Sequence, residues 1–68
     1  MLKERLAKNI KSHRLKRSLT QEEFAEFLGL SYEGYQKIER AKRAPELRTV
    51  EKIANVLKID PASLFKKS

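Results

Sequence analysis

Lys37, Arg40, Lys42 and Arg43 stand close together near the middle of the sequence, just after Tyr32, Glu33 and Gln36. These side chains are hydrogen-bond donors with one carboxylate acceptor among them. Their chemistry is suited to gripping a polyanion rather than to breaking a bond. The 68 residues hold 16 Lys and Arg against 9 Asp and Glu, a net charge of +7. Residues 1–19 carry seven of the bases (Lys3, Arg5, Lys8, Lys11, Arg14, Lys16, Arg17) and a single acid, Glu4. A basic surface of this density draws in nucleic acid through counterion release and long-range steering. On charge alone, a basic helix that is merely solvated is an equal reading.

Residue types that catalyse are scarce. His13 is the only histidine, and it lies between Ser12 and Arg14 on a basic stretch. Solvation or a phosphate contact is its ordinary role there. No nucleophile–base set, metal-ligand cluster or Gly-rich phosphate loop occurs. The absence of cysteine excludes a disulfide scaffold and any thiolate zinc site. The expectation is a protein that is not an enzyme and needs no metal or cofactor. No apolar run approaches the roughly 18 residues of a membrane span, and no signal-peptide core is present. A cytoplasmic, soluble domain spanning residues 1–68 is expected.

The elements that position these residues read as all-α. Leu2, Leu6, Ile10 and Arg14 recur every four residues over Leu2–Lys16, an apolar face that ends in a charge. Thr20 and Glu23 have capping-box spacing, and Leu19 can staple onto Phe24. Phe24, Ala25 and Leu28 face inward, and Gly29 stops this second helix in the left-handed region. Ser31 caps a third helix over residues 32–41, with Tyr35 and Ile38 inward. Residues 42–45 form a basic loop. A fourth helix over residues 47–57 turns Val50, Ile53, Ala54 and Leu57 to one side. Asp60 and Pro61 open a short fifth helix that returns Leu64 and Phe65 to the core.

Two helices joined by a short Gly-containing turn form a helix-turn-helix. Segment 21–40 meets its demands. Ala25 is small where helix three crosses, Gly29 turns, Leu30 plugs the gap and Ile38 anchors helix three. A plain helical hairpin is the alternative on the motif alone.

The run "LTQEEFAEFLGLSYEGYQKIERAKRAPELRTVEKIANVLKIDPASLF", residues 19–65, resembles the phage repressor/Cro-like (XRE-type) helix-turn-helix family. The resemblance takes in both motif helices, the basic loop, the fourth helix and the terminal "DPASLF". It implies a compact five-helix, lambda-repressor-like domain that binds palindromic operator DNA as a homodimer, with helix three in the major groove. A transcriptional regulator, most often a repressor, is the function implied. An interaction module or antitoxin-like partner reusing the same fold is the alternative; Tyr35, Glu33 and Phe27 favour it.

On that reading, residues early in helix three face base edges. Lys37 can donate to guanine O6 or N7, and Glu33 can accept from cytosine N4 or simply be solvated. Tyr32 can meet a thymine methyl or a phosphate. Gly34 either lets a base approach or is merely tolerated. The resemblance places Gln21 on a phosphate, aided by the start of helix two. Arg17, Gln36, Arg40, Lys42 and Arg43 are further phosphate candidates. The resemblance also implies a partly buried Arg14–Glu39 ion pair that sets the register of helix three. The family usually has Ile or Val where Tyr35 stands. The expectation is that its ring packs inward while its hydroxyl reaches the surface or a phosphate. Phe27 lies off the inward face, as a harmless exposed aromatic or a partner contact. Any dimer would use the C-terminal surface or Phe27.

Overall fold

Helix starts and stops in this chain follow local hydrogen bonding. The computed structural model describes residues 2–67. It contains α1 (Leu2–Lys16), α2 (Gln21–Leu28), α3 (Tyr32–Glu39), α4 (Leu47–Leu57) and a 3-10 helix, Pro61–Phe65. Thr20 Oγ1 accepts from the Glu23 backbone N–H at 3.1 Å, and the Thr20 N–H donates to Glu23 Oε1 at 2.9 Å. This reciprocal box satisfies two amides that a helix start leaves open. Ser31 Oγ accepts from the Gly34 N–H at 3.1 Å and starts α3 in the same way.

All four α-helices end alike. The chain enters the left-handed region at Ser18 (φ 54°), Gly29 (φ 75°), Ala41 (φ 57°) and Lys58 (φ 58°). The next residue's N–H then reaches back five positions: Leu19 to Arg14, Leu30 to Ala25, Lys42 to Lys37 and Ile59 to Ala54. This is the Schellman arrangement. Leu19, Leu30 and Ile59 each pack on the core directly after the turn, so burial holds the strained residue in place. Only Gly29 makes the turn without a Cβ penalty.

Two boundaries differ from expectation. The expected short fifth helix is a five-residue 3-10 helix. Asp60 Oδ1 accepts from the Ala62 N–H at 3.0 Å, and the Asp60 carbonyl accepts from the Ser63 N–H at 2.9 Å. That i→i+3 bond tightens the turn, and a segment this short gains nothing from opening into an α-helix. The fold is therefore four α-helices and a 3-10 turn. Helix three stops at Glu39 rather than at Ala41, because Ala41 has already left helical φ.

The core joins Leu6 and Ile10 of α1 to Phe24, Ala25 and Leu28 of α2, and to Tyr35 and Ile38 of α3. Val50, Ile53, Ala54 and Leu57 of α4 and Leu64 complete it. Leu2, expected to continue the inward face of α1, is 61% exposed. α1 packs on α3 and on the 3-10 helix, while α2 packs on α3 and α4. Asn9 Nδ2 ties the chain's end to α1, donating to the carbonyls of Leu64 (2.7 Å) and Lys66 (2.9 Å). α3 thus rests on both α1 and α2 with its outer face open. No helix among the described residues is long and apolar enough to cross a membrane.

Candidate nucleic-acid interface

The outer face of α3 follows from what its inner face does. Tyr35 and Ile38 are buried, so the 3.6-residue period turns Glu33, Lys37 and Arg40 outward. Glu33, Gln36, Lys37, Arg40 and Lys42 line one open depression. Lys37, Arg40, Lys42 and Arg43 take part in no ion pair among the described residues. Four cations thus face solvent with their charge available to a polyanion.

Tyr32 is 41% exposed, and its hydroxyl accepts from Gln36 Nε2 at 3.0 Å. This i,i+4 pair fixes both side chains on the outer face. Gly34 and Arg43 lie to one side, in a second cleft with Leu30, Ser31 and Pro45. Gly34 has a local reason of its own. A Cβ there would stand 2.9 Å from Ser31 Oγ, the atom that caps α3.

Besides Gln36, two phosphate candidates are engaged within the protein. Arg17 Nη1 donates to the His13 carbonyl at 2.9 Å, covering the end of α1. Burial, then Arg17 and Lys16, push the His13 pKa down. Gln21 is half-buried, and its Nε2 donates to Glu39 Oε1 at 2.9 Å.

Glu39 is the hub beneath this outer face. Arg14 grips it from α1 with two bonds of 3.0 Å, Nε to Oε2 and Nη2 to Oε1. Arg14 Nη1 also donates to the Leu19 carbonyl at 2.9 Å. Gln21 adds a bond from α2, and the Tyr35 hydroxyl donates to Oε2. Each carboxylate oxygen therefore accepts two donors. Burial alone would raise the Glu39 pKa. The bonds from Arg14, Tyr35 and Gln21 outweigh it and hold the carboxyl below its ordinary value. Tyr35 shifts the other way, because burial and the adjacent carboxylate both disfavour its phenolate.

The Tyr35 geometry corrects the sequence expectation. Its hydroxyl reaches neither the surface nor a phosphate; the residue is 0% exposed and bonded to Glu39. The ring lies edge-on to Phe24, with centroids 5.7 Å apart and planes at 82°. Phe27 is 48% exposed, yet it stacks on Phe24 at 6.0 Å. Sequence reasoning also missed Lys52, whose Nζ donates to the Gly29 carbonyl at 2.9 Å. The Tyr35–Glu39 bond had a readable signal: a phenol one helical turn before an acid, on the side of the helix that faces the core. Among the described residues, no group of three or more His, Cys, Asp or Glu could hold a metal ion.

The family profile described as "Helix-turn-helix" matches residues 10–64, from the middle of α1 through Leu64. A curated relative is the SPbeta prophage-derived uncharacterized HTH-type transcriptional regulator YonR of Bacillus subtilis (strain 168). It is 35% identical over 57 residues, which cover 84% of this chain and 53% of the relative. The chain thus spans about half the length of the relative it matches. The profile match extends over most of the fold, and the buried face of α3, the turn at Gly29 and the outward cations of α3 are the parts such a motif requires; the chain belongs to the helix-turn-helix family, in its phage repressor/Cro-like branch.

Proposed function

We propose that the protein is a sequence-specific double-stranded DNA-binding transcriptional regulator, acting as a repressor, that lays α3 in the major groove. The observation that carries this reading is the depression lined by Glu33, Gln36, Lys37, Arg40 and Lys42 on the outward face of a helix held firmly from behind. A recognition helix needs both properties, exposed donors and a fixed orientation. Lys37 and Glu33 supply a donor and an acceptor for base edges, with Tyr32 beside them. Arg40, Lys42 and Arg43 continue the basic rim toward the phosphates. Gly34 sits where the backbone of α3 comes close to its own cap. The prophage relative bears the name of a transcriptional regulator, which favours the same role here.

Gln21 and Arg17 take modified parts in this reading. Gln21 meets a phosphate from the start of α2 with the amide capacity left after its bond to Glu39. Arg17 does so by releasing the His13 carbonyl. A homodimer on a palindromic operator, in a bacterial or phage-infected cytoplasm, completes the proposal. Selection from a random duplex pool tests it, followed by titration of the winning site against salt. A two-fold symmetric site with a steep salt slope is the expected result. Weak, salt-sensitive binding with no convergent site overturns it and favours a protein-interaction module on the same fold.

A further inference from the structure

We infer that Tyr35 is a positioning residue for DNA reading: its hydroxyl orients the Glu39 carboxylate so that α1 and the start of α2 together seat the recognition helix. The inference rests on the DNA-binding reading above and deepens it.

Tyr35 cannot itself touch DNA. It is 0% exposed, with its ring against Phe24. Whatever it does for recognition passes through its hydroxyl, and that hydroxyl donates to Glu39 Oε2. Tyr35 and Glu39 lie on the same helix, one turn apart. The bond between them therefore adds no link between helices; it fixes how the acceptor is presented. Arg14 then docks from α1, with Nε on Oε2 and Nη2 on Oε1, both at 3.0 Å. Gln21 docks from α2 on Oε1 at 2.9 Å.

Without the hydroxyl, Oε2 keeps Arg14 Nε alone. The carboxylate then loses the one bond from its own helix and can rotate further toward either Arg14 or Gln21. Rotation loosens the place where, among the described residues, three helices meet through polar bonds. An aliphatic side chain at this position would fill the core and leave the carboxylate to the bonds from Arg14 and Gln21 alone. Tyr35 couples the two, since one end of it is core and the other a directional donor. Gln21 sits at the first position of α2, so a better-held Gln21 also fixes the phosphate-facing end of that helix.

The test uses Tyr35→Phe, which keeps the ring and deletes the bond. The wild-type chain first selects its site from a random duplex pool. Affinities of both proteins for that site and for an unrelated duplex are then measured at a temperature where both are folded. Operator affinity is expected to fall about tenfold, the scale of one charge-assisted hydrogen bond. Affinity for unrelated DNA should change less than about twofold, because phosphate charge is untouched. The acid limb of operator binding should also move to higher pH, since Glu39 loses a donor that stabilises its ionised form. Its remaining neighbours, Arg14 from α1 and Gln21 from α2, do not titrate in that range.

If Tyr35→Phe proves too unstable, the same change in a Lys58→Gly background serves. Lys58 ends α4 in the left-handed region and takes no part in the Glu39 cluster. Operator and unrelated affinities that fall together, or an unchanged operator affinity and acid limb, overturn the positioning role alone. A wild-type chain that selects no site overturns the DNA reading and this inference with it.

Discussion

Arg14 and Glu39, 25 positions apart in sequence, form a two-bond pair in which both contacts are 3.0 Å. Their side chains are 12% and 4% exposed. Such a pair adds little net stability over an apolar match, but losing one member strands the other. Glu39→Ala should therefore lower stability by about 3 kcal/mol. The double change Arg14→Met with Glu39→Leu should regain much of that loss. Chemical denaturation of Arg14→Met, Glu39→Leu and the double variant measures the coupling. Additive losses would contradict it.

The pH dependence follows from opposite shifts in one cluster. The folded-state pKa of Glu39 is lowered. Its contribution is present above the unfolded glutamate value of about 4.3 and is lost as pH falls through the depressed folded value. The folded-state pKa of Tyr35 is raised. Its contribution is present below the unfolded tyrosine value of about 10 and declines as pH rises beyond it, because only the unfolded chain then ionises. Thermal melts of wild type and Tyr35→Phe from pH 7 to 11 should converge as pH rises. Parallel curves would show that the phenol is not held by the carboxylate.

Three helices end at a left-handed residue other than glycine: Ser18, Ala41 and Lys58. An L-residue there costs about 1–2 kcal/mol. Lys58→Gly should recover about 1 kcal/mol and raise Tm by roughly 4–8 °C in a domain of this size. Gly29→Ala should act in reverse by about 1 kcal/mol or more. Its new Cβ would also press on Lys52 at 3.1 Å and disturb the bond to the Gly29 carbonyl. Calorimetry of both variants checks the sign.

On the outer face, Lys37→Ala should cost about 1–3 kcal/mol on the selected site and relax discrimination at one base position. Lys42→Ala and Arg43→Ala should weaken all duplexes alike and each reduce the salt slope by about 1. Binding titrations at several salt concentrations separate the two patterns. A uniform loss for Lys37→Ala would move that residue from the base edges to the backbone.

Much of the architecture was legible without coordinates because its signals are local. Thr20 and Glu23, Ser31, Gly29, and Asp60 with Pro61 act within a few residues, and α2 starts and stops, and α3 and the last helix start, where those residues say. The Ala25, Gly29, Leu30 and Ile38 spacing likewise located the turn. Three matters depended on the folded chain. The left-handed ends at Ser18 and Lys58 carry no glycine; the burial of Leu19 and Ile59 holds them, and that burial exists only once the helices pack. The last helix winds as 3-10, since the reach back to the core across five residues leaves no length for an α-turn to propagate. The bond of Gln21 was also hidden. A glutamine at a helix start has several partners within reach in sequence. Only the packing of α3 on α1 and α2 brings Arg14 and Gln21 to the carboxylate that Tyr35 already meets within α3, where low exposure makes each bond strong enough to choose the conformation.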